Sequence, residues 1–344
     1  MEKLFLGIDI SKEKINICLM KELKIVHEDE VRNTIPAISR MLKRLSKDLG
    51  NGEASLVACA EFTGRYIYPL TCACHETGTL LWMEDPTRIK HSFGLSRGKD
   101  DVVDARRIAE YASRNSDKAR AYSLPEKEIS SIKILLNDRE LLMADRRKYQ
   151  AQISDQKGFM SKEDYASHCK IRKAIIKTLD NQIDDIERRI EELASANERI
   201  VHQTELLKSI DGIGNWVALY MIVATNSFTK FENARQFNCY AGLAPFIYTS
   251  GKSIHSKAKV SQRANKQLKS LLHMAAISAA THMKSSEYKD YYERRCAAGK
   301  HPMSVLNIVR AKLVSRMFSV IRRDEIYTRN YERKNPAEKN LSAS

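Results

Sequence analysis

Leu4-Phe5-Leu6-Gly7-Ile8-Asp9-Ile10 is an apolar run interrupted near its end by one carboxylate. A run of this length between charged and polar residues predicts a strand buried on both faces. A carboxylate in that setting must be neutralised, hydrogen-bonded or bound to a cation, because burying an isolated charge is costly. Asp9 is therefore a candidate metal ligand or active-site acid.

Two further segments repeat the pattern. Ala54-Ser55-Leu56-Val57-Ala58-Cys59-Ala60 predicts another buried strand that runs into Glu61-Phe62-Thr63-Gly64. Glu61 then stands at a strand's carboxyl end, where open α/β sheets place their ligands. Lys99 to Ala112 reads as a helix with acids in its first turn. On it Asp101, Asp104, Ala105, Ile108 and Ala112 share one face, so both carboxylates project from the apolar, sheet-facing side. Asp100 is a rival ligand, since it also pairs with Asp104 at helical spacing. Four converging acids repel one another unless divalent cations compensate them. Oxygen-only ligation suits Mg²⁺ or Mn²⁺, and a pair of such ions serves phosphodiester chemistry. Singly, each acid has a plainer explanation: a turn cap for Asp9, a strand-end surface acid for Glu61, helix-start charges for Asp101 and Asp104. Their joint occurrence in this order favours a site.

The fold class that follows is α/β plus α. Residues 1–123 alternate strand and helix: strands at Leu4 to Ile10, Ile15 to Met20 and Lys24 to Val31, a helix from Ile35 to Leu49, the Leu56 strand, a helix after Gly64, a strand at Thr79 to Met83, then the Asp101 helix. This is the arrangement of a ribonuclease-H-like nuclease core, an analogy of fold. Residues 124–206 are almost free of Gly and predict long helix. Within them Ile176, Leu179, Ile183, Ile186, Ile190, Leu193, Asn197 and Ile200 alternate spacings of three and four, a heptad seam with one polar member. It suits either a coiled coil between subunits or a hairpin with the Glu126 to Phe159 helix, with Gly158 marking a break. Residues 207–330 form a third, mostly helical domain, and 331–344 read as a flexible tail.

The third domain opens with Ile210-Asp211-Gly212-Ile213-Gly214, two helices joined by a Gly-x-Gly turn. This resembles a helix-hairpin-helix, with Gly212 and Gly214 offering backbone amides to phosphates, although Gly-x-Gly also makes ordinary helix caps. Between Glu232 and Glu287 there is no Asp or Glu, while Lys252, Lys257, Lys259, Arg263 and Lys266 accumulate there. A one-signed run rich in Ser and Gly is what a phosphate-binding surface needs. In Thr249-Ser250-Gly251-Lys252 a hydroxyl beside a Gly and several Lys is poised to meet a phosphodiester.

Over 344 residues, 58 Lys and Arg against 43 Asp and Glu give a formal charge of +15, which points to a polyanionic partner, nucleic acid first. No apolar run is long enough to span a bilayer, and the amino terminus has no signal-peptide pattern. The seven cysteines are scattered and show no paired zinc spacing; Cys72, Cys74 and His75 read as helix packing. The expectation is a reduced, cytoplasmic protein.

Three amino-terminal marks, Gly7-Ile8-Asp9-Ile10-Ser11-Lys12, Glu61-Phe62-Thr63-Gly64-Arg65-Tyr66 and Lys99-Asp100-Asp101-Val102-Val103-Asp104-Ala105, precede three others, Ile210-Asp211-Gly212-Ile213-Gly214, Tyr240-Ala241-Gly242-Leu243-Ala244-Pro245 and Ser250-Gly251. In this order they resemble the DEDD-type transposases of the insertion-sequence one-ten family, whose relatives include the Piv invertase and bridge-RNA-guided recombinases. The resemblance implies a RuvC-like domain with Asp9, Glu61, Asp101 and Asp104 as the metal-binding quartet, and a transposase domain with Ser250 as nucleophile forming a covalent phosphoserine link. It implies donor and target DNA, a structured non-coding guide RNA and a homo-oligomer, dimer or tetramer, as partners. Sequence choice would then be delegated to base pairing. Ser261-Gln262-Arg263-Ala264-Asn265 departs from the family string, with Ala where Gly is usual, and Ser253, Ser256 and Ser261 remain rival nucleophiles. Three other functions stay open: a Mg-dependent Holliday-junction nuclease in which the acids activate water, a Piv-type DNA invertase without guide RNA, and a non-enzymatic nucleic-acid architectural protein whose acids are purely structural.

Overall fold

The computed structural model describes residues 2–48, 54–62, 64–93, 100–122, 124–246, 249–250, 254–255, 259–260, 264–283 and 286–329. They fall into two compact units, Met1–Leu124 and Pro125–Ser344; the long helical segment and everything after it belong to the second.

In the first unit, strands β1 (Glu2–Ile10), β2 (Lys14–Lys21) and β3 (Lys24–Arg32) form an antiparallel meander. Helix α1 (Ile35–Asp48) leads to β4 (Ala54–Glu61), α2 (Tyr68–Thr77), β5 (Leu80–Glu84), α3 (Pro86–Ser92) and α4 (Asp101–Arg114). The sheet is mixed, in the order β3-β2-β1-β4-β5, with β4 parallel to both β1 and β5. Alternation along β1 sends Leu4, Leu6, Ile8 and Ile10 into a core with Ile38, Leu42 and Leu70 of α1 and α2. The opposite face meets α4: Phe5, Val57, Cys59 and Trp82 pack on Ile108, Tyr111 and Ala112.

Gly7 sets how closely that helix approaches. A Cβ built on it would lie 2.2 Å from the Ala109 nitrogen and 2.3 Å from the Ala105 carbonyl oxygen. The backbone of α4 therefore rests directly on β1, as only the absence of a side chain permits. Arg106 fastens the helix further out, donating to both Glu28 oxygens on β3 at 2.5 and 2.7 Å.

The second unit begins with α5 (Lys127–Asp155) and α6 (Lys162–Ser195), which pair as an antiparallel hairpin turned at Gly158 (φ +87°). Arg139 to Glu187 at 2.6 Å and Arg146 to Asp180 at 2.9 Å tie the two together. The heptad seam thus faces a helix of its own chain. Its polar member is no core residue: Asn197 caps α7 (Glu198–Lys208), its side-chain oxygen accepting from the Ile200 amide at 3.1 Å and its amide donating to Glu126 at 3.0 Å. The long helix ends there, because a cap satisfies amides that a continuous helix would not leave open.

Next come α8 (Asn215–Thr225) and α9 (Ala234–Tyr240), then four two-residue strands, β6 (Pro245–Phe246), β7 (Thr249–Ser250), β8 (Ile254–His255) and β9 (Lys259–Val260). Helices α10 (Lys266–Ile277), α11 (Glu287–Ala297) and α12 (Pro302–Arg323) complete the unit. One core joins Leu207, Leu219, Phe237, Leu272, Leu313 and Met317 to Ile129, Ile132 and Ile190 at the base of the hairpin. No helix among the described residues is long and apolar enough to cross a membrane.

Candidate active site

Strand register assembles one row of polar side chains at the carboxyl end of the first unit's sheet. Asp9 stands opposite Asn16, Ile8 beside Ala60, and Glu61 beside Glu84. Side chains paired across neighbouring strands share a face, so Asn16, Asp9, Glu61 and Glu84 follow one another on the face that carries α4. Asp9 and Glu61 are half-buried, while Asn16 and Glu84 are buried. The crowding of carboxylates has an electrostatic signature in Cys59, whose thiol is pushed well up by burial and, beyond that, by Glu84 and Glu61.

Glu84 is the member that sequence reasoning missed. It accepts from the Tyr111 hydroxyl of α4 at 3.1 Å and from the Asp85 amide at 2.8 Å, with the Arg88 guanidinium 3.5 Å away. Tyr111 in turn is pushed up to about 12, first by burial and then by Glu84. The available signal was an acid closing an apolar strand, the same one that drew attention to Glu61.

The close seat of α4 on Gly7 brings the helix's first turn toward this row. Asp100 serves as N-cap, accepting from the Val102 amide at 3.1 Å, and is exposed. Asp101 and Asp104 are half-buried, in line with the buried Ala105, Ile108 and Ala112. Asp104 is engaged by Arg107 at 3.0 Å. Lys14 on β2 has its pKa raised chiefly by its 2.6 Å pair with Glu30 and, to a lesser degree, by the charge of Asp101. Among the described residues no three His, Cys, Asp or Glu side chains lie close enough together to hold a metal ion as they stand. The donors nonetheless suit a hard divalent cation in kind: they are carboxylate oxygens, partly withdrawn from water and next to Asn16, whose buried amide nitrogen has no hydrogen-bond partner among the described residues.

In the second unit Ser250 ends β7, paired in register with Ile254 of β8, while Thr249 pairs with His255. This short hairpin is flanked by β6 and β9, where Phe246 pairs with Lys259. Lys252, Lys257 and Arg263, with the rival serines Ser253, Ser256 and Ser261, lie outside the described residues. Lys266 is exposed at the start of α10, behind the Asn265 cap. The two glycines between α7 and α8 differ from each other. Gly212 has φ +84°, and a Cβ there would meet Ala279 and the Ala275 carbonyl at 2.7 and 2.8 Å, so close packing accounts for it. Gly214 is exposed and caps α8, with open space around its Cβ position.

A DEDD transposase family model of IS110 type matches residues 6–156, and the model described as Transposase IS116/IS110/IS902 family matches residues 204–293. The pilin gene-inverting protein of Moraxella bovis is 24% identical over 336 residues, covering 94% of this chain and 97% of that protein. Its counterpart in Moraxella lacunata is 23% identical over 333 residues, with 94% and 97% coverage. An uncharacterized 43.6 kDa protein of insertion element IS110 from Streptomyces coelicolor is 32% identical over 123 residues, 36% of this chain and 29% of that one. Among solved structures, Thermus thermophilus RuvC in complex with a Holliday junction substrate aligns with a TM-score of 0.26 at 14% identity, over 35% of this chain and 99% of that one. With two family models of one type spanning both units, the chain belongs to the IS110 family of transposases, enzymes that cut and join DNA.

Proposed function

We propose that this transposase cuts and rejoins DNA with two sets of groups, a carboxylate site in the first unit and a serine nucleophile, Ser250, in the second. The observation that carries the reading is the row in which Asp9 adjoins Glu61 beneath the helix whose first turn bears Asp101 and Asp104. These four would hold Mg²⁺ or Mn²⁺. A divalent ion bound there supplies Lewis-acid activation of a hydroxyl and stabilisation of a leaving oxygen.

The chain's own part is nucleophilic. The Ser250 hydroxyl gives up its proton as its oxygen bonds to phosphorus, and the bond from phosphorus to one deoxyribose oxygen breaks. That oxygen takes up a proton and leaves as a sugar hydroxyl. Attack by the hydroxyl of another strand end reverses the step and frees the serine. Lys252, Lys257, Lys259, Arg263 and Lys266, together with the amides of Gly212 and Gly214, would bind the backbone, and a structured guide RNA would choose the DNA. The working form would be a dimer or tetramer.

Ser250→Ala should abolish the covalent protein–DNA adduct while leaving DNA and RNA binding in place; strand exchange at the parental rate in that variant would refute the serine mechanism. Free nicked ends without an adduct in the parent would instead favour the nuclease. A second reading, inversion of a DNA segment without guide RNA, is favoured by the two pilin gene-inverting proteins matched along nearly their whole length. Assaying recombination with RNA-free protein separates the two.

A further inference from the structure

Arg310 lies in the interior of the second unit on α12, only 7% exposed, with its Nε sealed from solvent and without a hydrogen-bond partner among the described residues. Burial pushes its pKa down, and no carboxylate among the described residues acts in the other direction. None could come from the nearby basic segment, because the chain has no Asp or Glu from residue 233 to 286. Helix α10 packs against α12, and the Arg310 charge is felt at His273 of α10, whose Nδ1 is likewise buried and, among the described residues, unpartnered. Its pKa is lowered first by burial and then by the Arg310 charge. A buried guanidinium without a counter-charge is an expensive feature that well-packed apolar residues would improve upon.

The surroundings indicate what would offset it. One turn before Arg310 on α12, Asn307 donates to the Leu243 carbonyl at 2.9 Å, seven residues ahead of Ser250. Past the hairpin, the segment enters α10, the helix that carries His273, through the Asn265 cap. Both ends of the Ser250-bearing segment are thus fastened to the two helices that bear the unpartnered pair. The planar fork of an arginine matches a phosphate oxygen pair better than it matches any other common anion save a carboxylate.

We propose that Arg310, with His273, forms an anion-binding site filled by a phosphodiester of the DNA on which the Ser250 segment acts. The choice of DNA as the source of the phosphate rests on the function proposed above; the anion site itself does not.

The test uses the full chain and two probes, inorganic phosphate against chloride at equal ionic strength, and a short DNA duplex. Phosphate should raise the unfolding temperature of the parent. Arg310→Met should unfold in chloride at or above the parental temperature, lose the response to phosphate, and bind the duplex about tenfold more weakly, the scale of a charge-assisted hydrogen bond. A merely structural arginine predicts the opposite: a destabilised variant whose phosphate response is intact, which would overturn the proposal, as would a parent indifferent to phosphate. Should Arg310→Met fail to fold, Arg310→Lys decides, since it keeps the charge and loses the fork; an undiminished phosphate response there refutes the site. A lost phosphate response with unchanged duplex affinity, or with weakened affinity for an RNA duplex alone, overturns the DNA assignment. Persistence of the adduct in Ser250→Ala would count against the serine mechanism and leave the phosphate response untouched, so the two failures are told apart.

Discussion

Replacing Gly7 with alanine asks whether the spacing between β1 and α4 calibrates the acidic site. The added Cβ would stand 2.2 Å from the Ala109 nitrogen, 2.3 Å from the Ala105 oxygen and 2.7 Å from the Ala109 Cα. All three are backbone atoms of the helix, so no side chain can swing aside. The shortest distance falls about 1.2 Å below the 3.4 Å at which ordinary contact begins, and α4 must retreat by something of that order. Overpacking of this kind costs about 1–3 kcal/mol. A gap of 0.5–1 Å already forfeits roughly a quarter to a half of the dispersion attraction across an interface, so the packing of Ile108 and Ala112 on Val57 and Cys59 suffers too. We therefore expect a loss near the upper end, about 3 kcal/mol. Because α4 carries Asp101 and Asp104 while β1 carries Asp9, a retreat of about 1 Å should also slow strand cleavage on the order of 100-fold. Trp82 is buried beside α4, and the second tryptophan, Trp216, belongs to the other unit. In a Trp216→Phe background, urea unfolding followed by tryptophan fluorescence reads the first unit alone. A Gly7→Ala protein with the parental midpoint, and cleavage within about threefold of the parent, would show that the helix does not set the site's spacing.

Two further outcomes follow from contacts away from the acids. Asn197→Ala removes the α7 cap and the bond to Glu126 together, and should cost about 1–2 kcal/mol in urea unfolding of the second unit; a loss within error of zero would mean the cap adds nothing. Glu28 is held below the ordinary carboxylate range chiefly by its hydrogen bonds from Arg106. Its stabilising effect is complete above the unfolded value of about 4.3 and fades as pH falls through the lower folded value. Glu28→Gln should therefore lower the unfolding temperature at neutral pH and flatten its fall in acid; parallel curves for variant and parent would refute the pairing.

The first unit was legible because its signals are local. The run from Leu4 to Ile10, the short strand-forming runs from Ile15 to Met20 and from Lys24 to Val31, and the apolar stripe of the Asp101 helix each depend on neighbours a few residues away. What escaped depends on distance in the chain. Reading the last strand as closing at Met83 left Glu84 out of the row, and nothing near it in sequence announces Tyr111. Helix α3 was passed over although Asp85-Pro86 is a cap followed by proline, because seven residues give too few turns for a periodic stripe. Asn197 was misread for a different reason: spacing of three and four describes a seam and a cap equally well, and only the end of the helix distinguishes them. Gly212 carries no local mark of Ala275 and Ala279, 63 and 67 residues later. Arg310 lies outside the run of basic residues, and its significance comes wholly from burial.

The hairpin of α5 and α6 has a consequence for mechanics. Its helices of 29 and 34 residues extend roughly 45–50 Å at 1.5 Å per residue. The buried side chains sit at one end only: Ile129, Ile132 and Leu136 on the outgoing helix, Ile183 and Ile190 on the returning one, with none from 137 to 182. The arm is a cantilever whose root is set in the core of the second unit and whose far half is held by ion pairs and half-buried contacts. Opening the outer turns costs much less free energy than opening the root. A load applied at the tip is therefore taken up by local compliance before it strains the root.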